Sequence, residues 1–575
     1  DRDLAAIIAP SASGIIVLGS LYKLMQLSGG GRVVARDLGG RAVDPSTSDP
    51  LERRLLNVVE EMALASGLPA PEVWVMDDEE GINAFAAGTD PSNAVIGVTR
   101  GCLERLNRSE LQGVVAHEFS HILNGDMKLN MRLMGWIFGL VMIAMLGRML
   151  LELLRHFRSS RDSKGANPLL VVAVAGIALW AVGSVGAFFA KLLQAGVSRQ
   201  REYLADASAV QFTRNPMGLA DALRKIGGFH RNGALQTSKA TEARHLFFVR
   251  SDLLSLGFTT HPPLEQRIKA IDPSWNGKMM TSNVERVFPE LELKKPARAA
   301  SMLASPPKPV SLDRLGDSAR LDPKVGAVIL QQLEEGNIVF ESKTQAKALL
   351  YSLLLAQDPK WSEATIHLLR QRTDGEMADR AVIWKQHLAG KSSAEKLAMV
   401  DLSLPWLRRM SPGEATEFIG ITGQLILADG QVNLFEFMLQ KVIARQVAVG
   451  LGLRQVPKIR HRNLRSLQPE IGLLLGTFAS VSGDPVSMER AGAEFEAHTG
   501  VSLGYLSANV ADLNALSGVL IELEAATPLV KVQALRMCGL VASHDGVLQD
   551  QEVELMRAVG EAIGAPLPPL GVVRA

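Results

Sequence analysis

The sequence predicts an α+β domain that is interrupted by a transmembrane helical hairpin, preceded by an N-terminal transmembrane helix and followed by an all-α C-terminal domain. Three observations lead to this fold class. Residues 52–105 combine a helical pattern with short β-rich runs, 133–154 and 168–195 are long apolar stretches, and 324–575 show helical patterns with few strand signals. A chain of 575 residues has room for roughly three or four domains.

Composition and charge limit the classes of function. Hydrophobic residues make up 47% of the chain and charged residues 21%, a mixture that indicates concentrated apolar segments beside ordinary globular parts. The formal net charge is +1, so the basic footprint of a nucleic-acid-binding protein is missing and no nucleic-acid partner is expected. Cys102 and Cys538 are too far apart in sequence to suggest a disulfide framework or a metal-binding pair, and such scarcity fits a reducing compartment.

Three apolar segments approach the roughly 20 residues that a membrane-spanning helix needs. Residues 168–195 carry no charge before Lys191, residues 133–154 are interrupted only by Arg148 and Glu152, and residues 4–22 form the third candidate. Buried core helices are the alternative for these segments. The chain begins with an aspartate rather than a methionine, so we expect that upstream sequence is missing.

The two stronger segments predict a hairpin. Positive charges flank it at both ends, so the distribution of Lys and Arg does not decide its orientation. Because a hairpin returns the chain to the side from which it entered, residues 23–131 and the part from 196 onward are predicted to lie on the same side of the membrane. Only in that arrangement do the two parts share a site.

Residues 114–126 read VVAHEFSHILNGD and are predicted to lie on a helix with Ser109 as its N-cap. His117 and His121 are four residues apart, so both imidazoles lie on one helix face and are able to bind one zinc ion. Glu118 is rotated by about 100° from His117, which makes it unsuitable as a third ligand. It is placed instead to take a proton from a metal-bound water.

A candidate third ligand follows the last apolar segment, in SRQREYLADASAV at 198–210. Glu202 and Asp206 are also four residues apart and share one face of a second helix. Glu202 would complete a site of two histidines and one glutamate, and Asp206 would orient His117 through its second ring nitrogen. The alternative is a juxtamembrane helix with solvated charges.

These motifs, in this order, resemble the HtpX-type membrane zinc metallopeptidases, which have a zincin-like (gluzincin) fold. Four stretches carry the resemblance: 81–101, 110–126, 198–210 and THPPLEQRIKAIDP at 260–273. The resemblance implies one Zn²⁺ per chain, held by His117, His121 and Glu202, with Glu118 as the general base. It also implies that a substrate backbone adds to the strand that contains Asn83, Ala84, Phe85 and Ala86.

Several positions in these stretches leave alternatives open. Asn124 and Asp126 match the family's motif after the second histidine, and the alternative for them is a helix C-cap with Gly125 in a left-handed conformation. His261 is a candidate donor to the oxyanion or a structural histidine before a proline-fixed turn. Arg267 would serve the same end or hold the domain together.

The C-terminal half contains two similar phrases, at 427–446 and 543–562. Both read Asp-Gly-x-apolar-x-x-x-Glu, at Asp429, Gly430, Val432 and Glu436 and at Asp545, Gly546, Leu548 and Glu552. This pattern matches the second half of a calcium-binding EF-hand loop, but apolar residues occupy the ligand positions of the first half, so calcium binding is not expected. The phrases resemble TerB-like helical domains, and the alternative is two helix-turn-helix units with capping residues. Contact with a partner protein or with another copy is the expected purpose.

The predicted domain order follows from these motifs. It is an N-terminal transmembrane segment (1–27), the first half of a metalloprotease domain (28–131), the transmembrane hairpin (132–195), the second half of the metalloprotease domain (196–294), a linker rich in Pro, Ala, Ser and Lys (295–323), and a TerB-like helical domain (324–575).

The resemblance implies a membrane-bound zinc endopeptidase that acts in protein quality control on misfolded or membrane-associated polypeptides. It also implies a multi-pass protein of the bacterial inner membrane with cytoplasmic catalytic and C-terminal domains. A homo-oligomer or a LemA-type membrane partner is a further expectation. The main alternative is a non-catalytic membrane scaffold with a structural zinc site, although such a site needs no base like Glu118. A transporter with a vestigial protease fold is less favoured, because the apolar segments lack buried charged pairs.

Overall fold

A computed structural model describes residues 2–154, 168–229, 262–280, 340–482 except 341, 357 and 431, 485–503, 513–542, and 549–567 except 566. The chain divides into two compact units. The sheet unit comprises Asp1–Val43, Glu72–Asp90 and Ala94–Phe288, and the helical unit comprises Asp44–Pro71, Pro91–Asn93 and Pro289–Ala575. The helical unit therefore includes two segments that fall within the predicted metalloprotease segment 28–131.

The described elements up to residue 271 are, in chain order, α1 (Arg2–Leu27), α2 (Gly31–Asp37), β1 (Arg41–Ala42), α3 (Pro50–Ser66), β2 (Glu72–Met76), β3 (Ala84–Ala87), β4 (Val95–Thr99), α4 (Arg100–Arg105), α5 (Arg108–Leu123), α6 (Asp126–Leu154), α7 (Pro168–Thr213), α8 (Pro216–Gly228) and α9 (Leu264–Ile271). All of them except α3 belong to the sheet unit.

The sheet has the strand order β1-β2-β4-β3, with β2 and β4 parallel and the other two pairs antiparallel. The strands are short and rich in Val, Ile and Ala, and β3 and β4 are fully buried, as expected where both faces of a sheet are covered. Phe85 pairs with Gly97. A Cβ at Gly97 would lie 2.1 Å from the Phe85 ring, so this glycine makes room for the ring across β4.

The N-cap of α5 differs from the prediction. Asn107, not Ser109, caps the helix: its side chain accepts from the Glu110 amide at 2.9 Å, and the Glu110 carboxylate accepts from the Asn107 amide at 2.7 Å. This reciprocal capping box satisfies two backbone donors at once, which Ser109 is not placed to do. The Ser109 hydroxyl instead accepts from the Asn215 side chain at 2.6 Å, at the start of α8.

Among the described residues of the sheet unit, two helices are long and apolar enough to cross a membrane, α6 and the part of α7 from Val172 to Ala190. A shorter apolar stretch, Ala12–Leu27, lies in α1. Residues 155–167, between the two predicted arms of the hairpin, lie outside the described residues. α7 does not stop at the end of its apolar part but continues as one helix of 46 residues to Thr213. Glu202 and Asp206, which were predicted on a second helix, therefore lie on the same helix as the apolar segment.

The second unit is all-α within its described residues. Its elements are α10 (Lys343–Leu353), α11 (Pro359–Arg372), α12 (Gly375–His387), α13 (Ser393–Leu407), α14 (Pro412–Ile426), α15 (Leu434–Val442), α16 (Gln468–Ser482), α17 (Pro485–Thr499), α18 (Leu513–Glu524), α19 (Pro528–Ala542) and α20 (Asp550–Ile563), together with α3. A π-helical segment, Ile443–Val449, extends α15. The predicted linker at 295–323 lies outside the described residues.

The two similar phrases of this unit place their glutamates at helix starts. Glu436 forms a capping box with Asn433 at the start of α15, and Glu552 forms one with Gln549 at the start of α20. Both contacts are those expected of helix-turn-helix units with capping residues. Asp545, Gly546 and Leu548 lie outside the described residues.

Gly183→Ala and Gly186→Ala form a matched pair of substitutions on α7, because each adds one methyl group and gains similar helix propensity. A Cβ at Gly183 would lie 2.5 Å from the Ala144 backbone nitrogen on α6, whereas one at Gly186 would meet the end of the Leu140 side chain at 3.0 Å. Backbone cannot rotate away, so we expect Gly183→Ala to cost about 1–3 kcal/mol through overpacking.

Thermal unfolding of the detergent-solubilised chain, followed by tryptophan fluorescence, measures the difference. Gly183→Ala should lower the midpoint, and Gly186→Ala should leave it unchanged or raise it. Equal midpoints for the two variants would contradict the close packing of α6 against α7.

Candidate metal centre

α5 and α7 bring together the side chains that the sequence predicts as metal ligands. His117 and His121 project from α5, and Glu202 projects from α7. Their ligand atoms all lie within 4.8 Å of one another. Among the described residues, this is the one group of three or more His, Cys, Asp or Glu side chains that is close enough to hold a metal ion.

The spacing of these atoms fits a tetrahedral ion. The Nε2 atoms of His117 and His121 are 3.2 Å apart. His117 Nε2 lies 3.5 Å from one carboxylate oxygen of Glu202, and His121 Nε2 lies 3.6 Å from the other. Ligands at about 2.0–2.1 Å from a tetrahedral zinc are separated by about 3.3–3.4 Å. Two imidazoles and one carboxylate are also the donor set of a catalytic zinc site, so the residues present fit this metal.

Two aspartates determine which ring nitrogens face the site. The Nδ1 atom of His117 lies 3.0 Å from the carboxylate of Asp206, and the Nδ1 atom of His121 lies 2.9 Å from that of Asp126. Each contact turns the Nε2 atom of its histidine toward Glu202. Such outer contacts orient metal-binding histidines and increase their basicity.

Arg267 supports the first of these aspartates. Its guanidinium donates two hydrogen bonds to Asp206, at 2.8 Å and 2.7 Å, and lies 3.8 Å from Glu202. The Arg267 side chain is 0% exposed, and α9, which carries it, packs against α7 and α8. These contacts are those of a residue that holds the domain together, one of the two roles left open for Arg267.

The buried charges shift the pKa values of the site. Burial alone would lower the pKa of His117, but hydrogen bonds to Asp206 and Glu202 raise it to about 9. Burial lowers the pKa of His121, and the neighbouring His117 lowers it further. Burial would raise the pKa of Asp206, but Arg267 and His117 lower it. The neighbouring carboxylates therefore favour a positive charge at His117 but not at His121.

Glu118 directly follows His117 on α5 and is buried. It is close enough to His121 and Arg267 to influence the charged forms of both. The carboxylate predicted as the general base thus lies in the same buried cluster as the metal ligands.

The motif after the second histidine serves two purposes. Asn124 is the C-cap of α5, and its side chain donates to the Ser120 hydroxyl at 3.0 Å. Gly125 has a φ of +70°, the left-handed conformation that ends many helices. Asp126 is different, because its carboxylate contacts His121. The capping alternative therefore describes Asn124 and Gly125, whereas Asp126 belongs to the metal centre.

The strand predicted to bind substrate, β3, is an edge strand in the described sheet and packs against α5. Its residues Ala84, Phe85 and Ala86, and Asn83 before them, are all buried. The Asn83 side chain accepts from the Ala84 amide at 3.0 Å. The strand predicted to bind substrate is therefore at the edge of the described sheet, but its residues are buried.

One predicted residue of the site cannot be placed, and one residue of the site was not predicted from the sequence. His261 lies outside the described residues. Arg201, which sequence reasoning did not select, forms an ion pair with Asp126. Its one signal in the sequence is its place directly before Glu202.

Arg267→Met tests the buried charge cluster. Removal of the guanidinium takes away one of the two positive charges that stabilise the buried Asp206 carboxylate, the other being His117, so we expect a loss of about 3–5 kcal/mol in the free energy of unfolding of the metal-free chain. Arg267→Lys should be more stable than Arg267→Met but less stable than the wild type, because an ammonium keeps the positive charge but cannot form the paired hydrogen bonds. Urea denaturation measures both, with Arg380→Met, which breaks an exposed pair with Glu376 on α12, as a near-neutral control. A loss equal to the control's would contradict this role.

Comparison with known proteins places the chain in a family. Residues 50–274 match Peptidase family M48. The chain is 37% identical over 269 residues to the "Protease HtpX homolog" of Thermoanaerobacter pseudethanolicus, which covers 45% of this chain and 84% of that protein. It is 42% identical over 220 residues to the protein of the same name from Dictyoglomus turgidum, covering 38% and 68%. The homologue from Streptococcus pneumoniae is 34% identical over 261 residues, covering 44% and 84%.

No solved structure matches the chain. The sequence relatives and the arrangement of His117, His121 and Glu202 agree on the same part of the molecule, because all three residues lie within the matched region. The chain belongs to peptidase family M48 and, within it, to the HtpX-type metallopeptidases.

Proposed function

We propose that this chain is a membrane-bound zinc endopeptidase in which His117, His121 and Glu202 hold one Zn²⁺ and Glu118 is the general base. The observation that carries the proposal is the spacing of the three ligand side chains, 3.2–3.6 Å between neighbouring donor atoms. Asp206 and Asp126 orient the two histidines. When bound, zinc would polarise the scissile carbonyl and lower the pKa of a bound water.

The protein's own residues would move the proton. Glu118 takes a proton from the attacking water and delivers it to the leaving amine. Its burial beside the histidines excludes bulk water, so the charge that develops during attack is close to the metal ligands rather than to solvent. His261 is a candidate second donor to the oxyanion.

The substrate would be an extended polypeptide. Its backbone would pair with β3 through residues Asn83, Ala84, Phe85 and Ala86, because this edge strand packs beside α5, which carries Glu118. Since Phe85 fills the space over Gly97, recognition there would depend on backbone hydrogen bonds rather than on the Phe85 ring.

The position of the site relative to α6 and α7 supports membrane-associated substrates. Asp126 begins one apolar helix and Glu202 lies on the continuation of the other, so the metal centre would sit where the hairpin leaves the bilayer. We propose that the protein spans the bacterial inner membrane, with its catalytic and C-terminal parts cytoplasmic, and cleaves misfolded or membrane proteins. A homo-oligomer or a LemA-type partner remains an expectation from the family resemblance.

A non-catalytic scaffold with a structural zinc is the second candidate. The presence of Glu118 in the buried cluster favours the enzyme, because a structural site needs no base and a buried carboxylate is costly to retain.

Glu118→Gln separates the two functions. The amide cannot accept the proton from water, so casein cleavage in detergent should fall about 10²–10⁴-fold or more, while zinc content stays at one per chain. Glu376→Gln, a carboxylate-to-amide change in an exposed pair with Arg380 on α12, is the control and should retain full activity. Undiminished cleavage by Glu118→Gln would show that the proposed mechanism is wrong.

A second experiment tests the substrate class. Reconstituted in liposomes, the wild-type chain is expected to cut a membrane-embedded test protein, and Glu118→Gln is expected to leave that protein intact. Casein added outside serves as the soluble unfolded substrate. Free cleavage of casein with no cleavage of any membrane-embedded protein would rule out the proposal on substrates.

A further inference from the structure

Asp126 has two partners at the metal centre. One oxygen of its carboxylate lies 2.9 Å from Nδ1 of His121, and the other forms an ion pair with the Arg201 guanidinium. The Asp126 side chain is 3% exposed and that of Arg201 is 40% exposed. The Asp126 carboxylate is therefore buried between the His121 imidazole and the guanidinium of Arg201, whose side chain is partly exposed.

A similar series of contacts supports the other histidine of the site. His117 is held by Asp206, and Asp206 is held by Arg267. Each histidine is thus supported by an aspartate, and each aspartate by an arginine. The two arms differ in their surroundings, because Arg267 is completely buried whereas Arg201 reaches solvent.

The exposed arm lies at a junction of the fold. Asp126 is the first residue of α6, and Arg201 directly precedes Glu202 on α7. The ion pair therefore ties the start of one apolar helix to the segment of the other helix that carries the third ligand. Without the guanidinium, a buried carboxylate would keep only the imidazole as a partner and would reorient toward water. His121 would then lose the contact that fixes its Nε2 atom toward Glu202.

We propose that Arg201 is a positioning residue of the metal centre, which acts through Asp126 to hold the His121 imidazole and to keep Glu202 in register with it. The proposal rests on the proposed function, since the property it affects is the affinity for zinc. Arg201 is neither a proposed metal ligand nor the proposed general base, so its loss should weaken metal binding without removing a catalytic group.

The test is the zinc affinity of the full chain in detergent, measured by competition with a chelator. Arg201→Ala should weaken affinity about 10–100-fold, the usual effect of losing an outer contact to a metal-binding histidine. Arg201→Lys should recover most of it, because it keeps the charge. Arg380→Ala, which breaks an exposed pair with Glu376 on α12, should leave it unchanged.

A double-mutant cycle shows whether Arg201 acts through Asp126. Asp126→Asn should weaken zinc binding, and adding Arg201→Ala to it should cause no further loss. Should Arg201→Ala fail to fold, Arg201→Gln takes its place, and thermal midpoints of the metal-free variants identify any general loss of stability.

The outcomes are distinct. If Arg201→Ala binds zinc with wild-type affinity, the positioning role is wrong and the proposed function stands. The same follows if the losses of Arg201→Ala and Asp126→Asn multiply in the double variant. A wild-type chain that binds no zinc would overturn both.

Discussion

The metal centre depends on the continuity of α7. One helix of 46 residues carries an apolar segment at one end and Glu202 and Asp206 at the other. The position of the third ligand is therefore set by how the apolar half packs, because a helix transmits a shift or rotation along its length. Close approaches between α6 and α7, such as Gly147 to the Trp180 backbone and Gly183 to the Ala144 backbone, fix that packing. With bulkier residues in the hairpin, α6 and α7 could not pack so closely, and Glu202 and Asp206 would lie farther from the two histidines.

The second constraint is electrostatic. The site buries two carboxylates, Glu118 and Glu202, beside the two ligand histidines, and a further two, Asp126 and Asp206, behind them. Buried charges persist only when opposite charges and hydrogen bonds compensate them. The arginines that contact Asp126 and Asp206 provide part of that compensation, and a divalent cation would provide more. Burial would lower the pKa of His117, but hydrogen bonds to two of these carboxylates, Asp206 and Glu202, raise it to about 9.

Local spacing made part of this site predictable. The four-residue separations placed His117 with His121 and Glu202 with Asp206, because helix periodicity alone determines which side chains share a face. Contacts that depend on tertiary packing were less accessible. The pairing of Asp126 with Arg201 follows from a left-handed Gly125 and from the return of α7 past α5, neither of which a sequence pattern specifies. The N-cap at Asn107 was missed because Ser109 also suits a cap, and only the reciprocal bond with Glu110 distinguishes them.

The helical unit contains a segment of the sequence that matches the peptidase family. The M48 match begins at residue 50, yet α3 belongs to the helical unit, where Leu64 is part of the main apolar core. In that unit the Arg408 guanidinium donates to the Ala70 carbonyl at 2.9 Å and is itself buried. Separating the region after residue 324 from α3 would expose an apolar helix face and leave a buried guanidinium without that acceptor. The helical region is therefore built onto a segment of the peptidase sequence rather than attached to its end, so any partner that it binds would act on a unit that already contains part of the enzyme.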